Sequence, residues 1–242
     1  MQCFRLSHAG LVLEHDGASL LIDPGDFSSE SELGAALASA APVAAVVITH
    51  EHRDHWTPEH LATIRTAAPD APILTTRATA ESLSAGGGDD GLGVGGLGGE
   101  VIPVRENDRI AAGPFVLDFY GRRHEVLHSS IPVIENVGVR VNGAFAWGGD
   151  SLARPPFPAD VLGVPIGSPW SSLAPGMDFV LTAAPPRAVL THDGMLSERG
   201  LGLFAQGGRW CLEQYGGELL EIPGIEKDPA ARLDLGPGAL PR

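Results

Sequence analysis

Hydrophobic positions along the chain fall in short runs separated by Gly, Pro, Asn and Asp, a spacing that predicts brief strands, tight turns and modest helices. Cys3–Leu13 and Ser19–Asp23 read as a hairpin about the turn His15–Gly17, with the second arm ending at Pro24-Gly25. A polar-rimmed helix follows through Glu32–Ala38. Ala44–Thr49 is an apolar β-branched run without alternation, the pattern of a strand buried on both faces. Thr57 is a good N-cap and Pro58 suits the first helical position, so a helix is expected to about Thr66, before Pro69 stops it. Pro72–Thr75 reads as a strand and Arg77–Leu83 as a helix.

Beyond these the pattern is mostly strands: Val101–Val104, Arg109–Ala111, Phe115–Tyr120, Val137–Val141 and Ala144–Trp147, the last two joined by the hairpin turn Asn142-Gly143. Val161–Ile166 is a further buried strand, Ser172–Ala183 a helix, Arg187–Thr191 a strand, Ser197–Tyr215 a helix broken by glycines, and Leu219–Ile222 a last strand. Lys227–Arg242, rich in Pro and Gly, reads as a loose tail. Strands in both halves with helices between them predict an α/β sandwich, two sheets face to face with helices outside.

Composition narrows the classes of function. Sixteen Lys+Arg against thirty Asp+Glu leave a net charge of −14, which argues against a nonspecific grip on nucleic acid or on an anionic membrane. The 242 residues suffice for one domain with a sizeable core. Cys3 and Cys211 have no paired spacing, so neither a disulfide framework nor a zinc ribbon is expected, and a reducing compartment fits. The first residues lack a basic region followed by a long apolar run, and charges interrupt the apolar stretches elsewhere; a cytoplasmic protein without a signal peptide or membrane span is the expectation.

Gly93-Val-Gly95-Gly96-Leu-Gly98 matches the dinucleotide pattern G-x-G-x-x-G, but that fingerprint must leave a strand and open a helix. Here a helix precedes it and a strand follows, so Gly86–Gly99 is expected to be a flexible surface loop.

The chemistry concentrates in Thr49-His50-Glu51-His52-Arg53-Asp54-His55, directly after the buried strand. Imidazole nitrogen and carboxylate oxygen on one loop suit zinc, iron(II) or manganese, and the lack of thiolates argues against a closed structural zinc site. Alternate residues of an extended segment point the same way, so His50 and His52 could share one ion while Asp54 and His55 turn toward a neighbouring one.

This stretch resembles the T-H-x-H-x-D-H hallmark of the metallo-β-lactamase-fold metallohydrolases, and the resemblance extends from about Met1 to Ile225 as a single domain, leaving 226–242 as the tail. It implies a four-layer αβ/βα sandwich of two facing mixed β-sheets with helices outside. The family's remaining positions match Asp23 in LLIDPG, His124 in FYGRRH, Asp150 in FAWGGDS and His192 in AVLTHDG. A closer likeness is to the L-ascorbate-6-phosphate lactonase-like branch, through Ser7-His8-Ala9, Leu21–Pro24, the G-x-x-H-x-x-x-H-x-x-I-P stretch Gly121–Pro132, and Pro169-Trp170. Ser151 stands where a threonine commonly follows the family's Gly-Asp.

The resemblance implies two divalent ions, zinc first with Mn2+ or Fe2+ as alternatives. His50, His52 and His124 would hold one, Asp54, His55 and His192 the other, and Asp150 would bridge them. It further implies a metal-bridging hydroxide as nucleophile on a small-molecule lactone, ester or phosphodiester, with Asp54 moving the proton toward the leaving group. Asp23 is expected behind a ligating imidazole, holding its tautomer.

His128, four residues after His124, competes with it for the third histidine position or contacts substrate; His124 is preferred because it lies nearer the strand end. His8 reads equally as a site contact and as a structural histidine. His15 and His60 are expected at the surface, and so are Arg122 and Arg123, which could otherwise hold an anionic substrate. Trp56 and Trp170 are expected simply to pack. A mononuclear iron oxygenase of the persulfide dioxygenase kind and a noncatalytic binding protein are the alternative functions. The sequence specifies neither substrate nor oligomeric state.

Overall fold

The computed structural model describes residues 1–84 and 99–236. The first sheet comprises β1 (Gln2–Arg5), β2 (Leu11–His15), β3 (Ala18–Ile22), β4 (Val43–Ile48), β5 (Ile73–Thr75), β6 (Val101–Pro103) and, from the far end of the chain, β14 (Leu233–Asp234). Their spatial order is β14-β1-β2-β3-β4-β5-β6. The second sheet contains β7 (Arg109–Ala112), β8 (Phe115–Tyr120), β9 (Gly138–Val141), β10 (Phe145–Trp147), β11 (Val161–Pro165), β12 (Arg187–Thr191) and β13 (Glu218–Leu220), in the order β13-β12-β11-β10-β9-β8-β7. Both sheets are mixed: β1–β3 and β7–β10 pair antiparallel, whereas β3–β6 and β10–β13 run parallel.

Alternation within the strands builds the layers. Along β3 and β4, Leu20, Ile22, Ala45 and Val47 face the core between the sheets, where they meet Phe119, Val139 and Trp147. Leu21, Val46 and Ile48 face the other way, onto a second core with Leu33 of α1 (Glu30–Ser39), Leu61 and Ile64 of α2 (Pro58–Ala67) and Leu83 of α3 (Arg77–Ser84). In the second sheet Phe145, Trp147 and Val161 point inward, while Ala146 and Leu162 pack outward against Phe179 of α4 (Leu173–Ala183) and Cys211 of α5 (Glu198–Glu213). A strand covered on both faces needs no polar side. The uninterrupted apolar run of β4 therefore yields the expected four-layer sandwich.

Four local expectations are corrected. The first arm of the expected hairpin is two antiparallel strands, because the chain reverses over Leu6–Gly10, closed by Leu6 N–H to Gly10 O at 2.9 Å, with His8 at φ 60°. α5 is one unbroken helix. Its glycines Gly207 and Gly208 are buried, and a β-carbon on Gly207 would lie 3.0 Å from Leu173 and 3.1 Å from Met177 of α4, so close packing compensates for weak helix propensity. His60 is buried, with Nδ1 3.0 Å from Pro24 O, and fixes the α2 N-terminus under the loop after β3. Residues 226–236 are not loose: β14 pairs with β1, Leu235 is buried, and Arg232 binds Glu14 at 2.6 Å while stacking over Phe4. The Pro/Gly pattern concealed an edge strand. The Gly86–Gly99 loop, up to residue 98, and the tail from 237 onward lie outside the described residues.

Candidate metal centre

Loops at one end of the two facing sheets bring the chemistry together. The segment after β4 carries His50, His52, Asp54 and His55; His124 follows β8, Asp150 follows β10 and His192 follows β12. Close backbone approach makes this convergence possible. A β-carbon on Gly25 would overlap the Asp54 carbonyl, so glycine alone lets the β3 loop rest on the ligand loop. Gly149, at φ 62°, would place one 2.5 Å from Asn136 Oδ1 and 2.6 Å from Thr49 Oγ1.

Two groups result, and they share Asp150. His50, His52, His124 and Asp150 offer ligand atoms all within 4.8 Å of one another, and so do Asp54, His55, Asp150 and His192. Asp150 Oδ1 lies 3.1 Å from His55 Nε2 and 3.0 Å from His192 Nε2, and Oδ2 lies 3.3 Å from His124 Nε2. Although these atoms are close, Nε2 of His55, His124 and His192 and Oδ1 of Asp150 are buried without a hydrogen-bond partner. Orphaned buried polar atoms are costly in a native fold. Four of them aimed into one volume fit a donor set for divalent cations.

The opposite ring nitrogens are held from behind. Asp23, fully buried, accepts from Thr49 N–H at 2.8 Å, Thr49 Oγ1–H at 2.9 Å and Trp147 Nε1–H at 2.7 Å, and lies 3.0 Å from His55 Nδ1. Its role behind an imidazole is the expected one. Because the Thr49 hydroxyl gives its proton to Asp23, it can accept from His50 Nδ1, 3.1 Å away. His124 Nδ1–H donates to Glu125 O at 2.6 Å, and His192 Nδ1 lies 3.0 Å from Ser168 Oγ. Such outer bonds turn each Nε2 toward the centre. His52 presents Nδ1 instead, 3.1 Å from His50 Nε2.

Electrostatics divides the two groups. Burial, then the neighbouring His55 charge, keeps His50 well below its ordinary pKa, and burial followed by His124 lowers His52. For His55 burial opposes the charge, but Asp23 and Asp150 outweigh it and hold the imidazole well above its usual range. His192 is likewise pushed up to about 9: burial opposes, and the adjacent carboxylates of Asp150 and Asp54 prevail. Asp150 and Asp54 are held well below the carboxylate range by these histidines despite their burial.

The structure separates the competing candidates. His124 joins the cluster, whereas His128 is exposed and bonded to Ser130 at 2.7 Å. His8 contacts Asp54 at 3.3 Å. Arg122 is exposed and paired with Glu106 at 3.3 Å, and Arg123 is exposed. Trp170 does more than pack: its Nε1–H donates to Asp150 Oδ2 at 2.9 Å. Sequence reasoning did not pick out Ser168 or Asn136, whose Oδ1 accepts from Asp150 N–H at 3.1 Å. Their positions at the end of β11 and the entry to β9 were the available signal.

Among the described residues no helix is long and apolar enough to cross a membrane. The chain is 28% identical over 209 residues to Protein Rv0786c of Mycobacterium tuberculosis, covering 84% of this chain and 89% of that one. It superposes on the metallo-beta-lactamase fold protein YhfI from Bacillus subtilis with a TM-score of 0.65 at 16% identity, covering 92% of this chain and 96% of the other. Igni18, a metallo hydrolase from the archaeon Ignicoccus hospitalis, gives a TM-score of 0.64 at 14% identity, covering 92% and 95%. Residues 19–192 match the family model described as Beta-lactamase superfamily domain, so the chain belongs to that family and carries the metallo-β-lactamase fold.

Proposed function

We propose that this protein is a dinuclear metal-dependent hydrolase that cleaves a lactone, ester or phosphodiester bond in a small molecule. The observation that carries the reading is the pair of ligand groups sharing Asp150, with orphaned buried atoms facing inward. Divalent ions, zinc first, would when bound supply an activated water near neutral pH and polarisation of the oxygen of the bond under attack. His50, His52 and His124 would hold one ion, Asp54, His55 and His192 the other, with Asp150 common to both.

The chain's own residues set the rest. Asp23, Thr49, Glu125 and Ser168 fix the imidazole orientations before substrate arrives, which limits reorganisation during the reaction. Asp54, with its side chain 19% exposed where His55, His192 and His124 are at most 1%, is the carboxylate that solvent and substrate can reach. It is therefore the group placed to take the proton of the attacking water and pass it to a leaving alkoxide. A complete Asp54, His55 and His192 set weighs against the mononuclear oxygenase.

Elemental analysis of native protein, followed by a panel of lactones, esters and phosphodiesters, tests the proposal. Two ions per chain and hydrolysis abolished by His52→Ala with the fold intact are expected. A single iron with oxygen uptake on a persulfide, or a fully active His52→Ala variant, would overturn it.

A further inference from the structure

His8 lies outside both ligand groups, yet it is fully buried against them, in the left-handed region at φ 60° where a histidine is uncommon. Three contacts define what it can do. Its backbone carbonyl accepts from His192 N–H at 3.0 Å and from Thr191 Oγ1–H at 2.8 Å, so the β1–β2 turn of the first sheet is bolted to the end of β12 in the second. Its ring nitrogen Nδ1 accepts the Gly194 backbone N–H at 2.9 Å. Its Nε2 lies 3.3 Å from Asp54 Oδ2.

The second contact decides the third. A backbone amide can only donate, so Nδ1 must present its lone pair, and in the neutral ring the proton sits on Nε2. Nε2–H can then serve only as a donor to Asp54, and His8 is thereby excluded as a ligand through that nitrogen. The ring has no freedom to turn over. Phe27 stacks on it with centroids 4.1 Å apart and planes 17° apart, and the His192 ring sits 3.7 Å away. Any side chain at 194 would strike Phe27 and come within 3.0 Å of His8 Nδ1, so glycine there keeps the amide in reach.

We propose that His8 is a positioning residue that fixes the Asp54 carboxylate through a locked Nε2–H donor. One frame, the His8 backbone and ring, then sets both Asp54 and His192, which arrive from opposite sheets. Oδ2 of Asp54 lies 3.5 Å from His192 Nε2 and 3.8 Å from His55 Nε2, so a carboxylate released from His8 would rotate away from the group it completes. Loss of such an outer partner typically weakens metal binding about 10- to 100-fold. The effect is confined to the Asp54 group, because His50, His52 and His124 have no contact with His8. The inference rests on the dinuclear reading above, but not on the reaction.

Two variants separate the donor from the anchor. In His8→Asn the amide oxygen can still take the Gly194 N–H, and asparagine tolerates positive φ, but no donor reaches Asp54. In His8→Gln the amide nitrogen reaches the Nε2 position and donates. Zinc titration of chelator-stripped full-length protein is expected to show one of two binding steps weakened about 10- to 100-fold in His8→Asn, with the other unchanged, and near wild-type binding in His8→Gln. Nitrogen-15 NMR of wild-type imidazoles, which distinguishes the tautomers without any variant, should find His8 as Nε2–H with and without zinc.

Equal weakening in both variants, weakening of both steps in His8→Asn, or an Nδ1–H tautomer would overturn the proposal. Absence of a second zinc step in wild-type protein sinks this inference and the dinuclear reading together. Two zinc steps without hydrolysis of any substrate sinks only the hydrolase reading.

Discussion

Replacing Asp23 with asparagine tests the centre's supporting layer most severely. The carboxylate is fully buried and faces four donors: Thr49 N–H at 2.8 Å, Thr49 Oγ1–H at 2.9 Å, Trp147 Nε1–H at 2.7 Å and the His55 ring at 3.0 Å. An amide of the same shape has one acceptor oxygen and one NH2. With the NH2 at the Oδ1 position it confronts the Thr49 amide; at the Oδ2 position it confronts Trp147 and His55. The Thr49 hydroxyl can rotate to accept, but the indole and the backbone amide cannot. Each orphaned buried donor costs about 1–3 kcal/mol, and stripping His55 of its anionic partner brings the total to about 3–5 kcal/mol. That is a large share of the roughly 5–15 kcal/mol that stabilises an ordinary domain, so Asp23→Asn should still fold but unfold at markedly lower urea. Chelator-stripped protein is the right sample, since it removes any contribution from bound ions. Zinc titration should in parallel show the His55 group weakened and the His50 group nearly intact. A variant within about 0.5 kcal/mol of wild type would refute the placement of Asp23 behind His55, since only surface substitutions are normally so mild.

Three further outcomes follow from the same geometry. His124→Ala should remove one zinc site in a metal titration, whereas His128→Ala, at an exposed position bonded only within its own loop, should leave both sites unchanged. Gly25→Ala forces a methyl group into the Asp54 carbonyl; circular dichroism melts should show destabilisation of more than about 2 kcal/mol, and a neutral result would contradict the loop contact. His192, raised to about 9 in the folded protein, stabilises the metal-free form fully below its unfolded pKa near 6.5. That contribution, about 3 kcal/mol, drains away as pH rises through 9, so urea midpoints of stripped protein should fall across this window; midpoints that rise would refute the assignment.

Much of the fold was legible because its determinants are local. The apolar run of β4, the Thr57-Pro58 helix start and the Asn142-Gly143 turn each specify one element with little help from elsewhere. Four candidate ligand positions, His50, His52, Asp54 and His55, were legible for a related reason, since imidazoles and carboxylates clustered at one strand end are too costly to be incidental, whereas His124, Asp150 and His192 were matched only through the family resemblance. What escaped depended on partners distant in sequence. Trp170 earns a role only through Asp150, Ser168 only through His192, and β14 only through β1, more than two hundred residues away. His60 looked like a surface group because its cover, the Pro24 carbonyl, comes from another loop. In the same way, the reversal at Leu6–Gly10 was missed because His8 adopts a conformation that only its bonds to residues 191–194 explain.

The two halves of the centre also differ in what they ask of an incoming ion. His50 and His52 are held neutral by burial, so their lone pairs are available without losing a proton. The carboxylates of Asp23, Asp54 and Asp150 favour the protonated forms of His55 and His192, so an ion entering that group would have to displace protons. Affinity there would fall about tenfold for each unit by which the pH is lowered, per proton released. A protein of net charge −14 raises the local concentration of divalent cations around both groups equally, so the long-range field cannot set the order of filling. Local protonation can, and on the dinuclear reading proposed above it favours filling of the His50 group first, which zinc titrations at a series of pH values would check. The group that includes Asp54 would then be the one whose occupancy follows pH, and equal pH dependence of two zinc steps would refute this order.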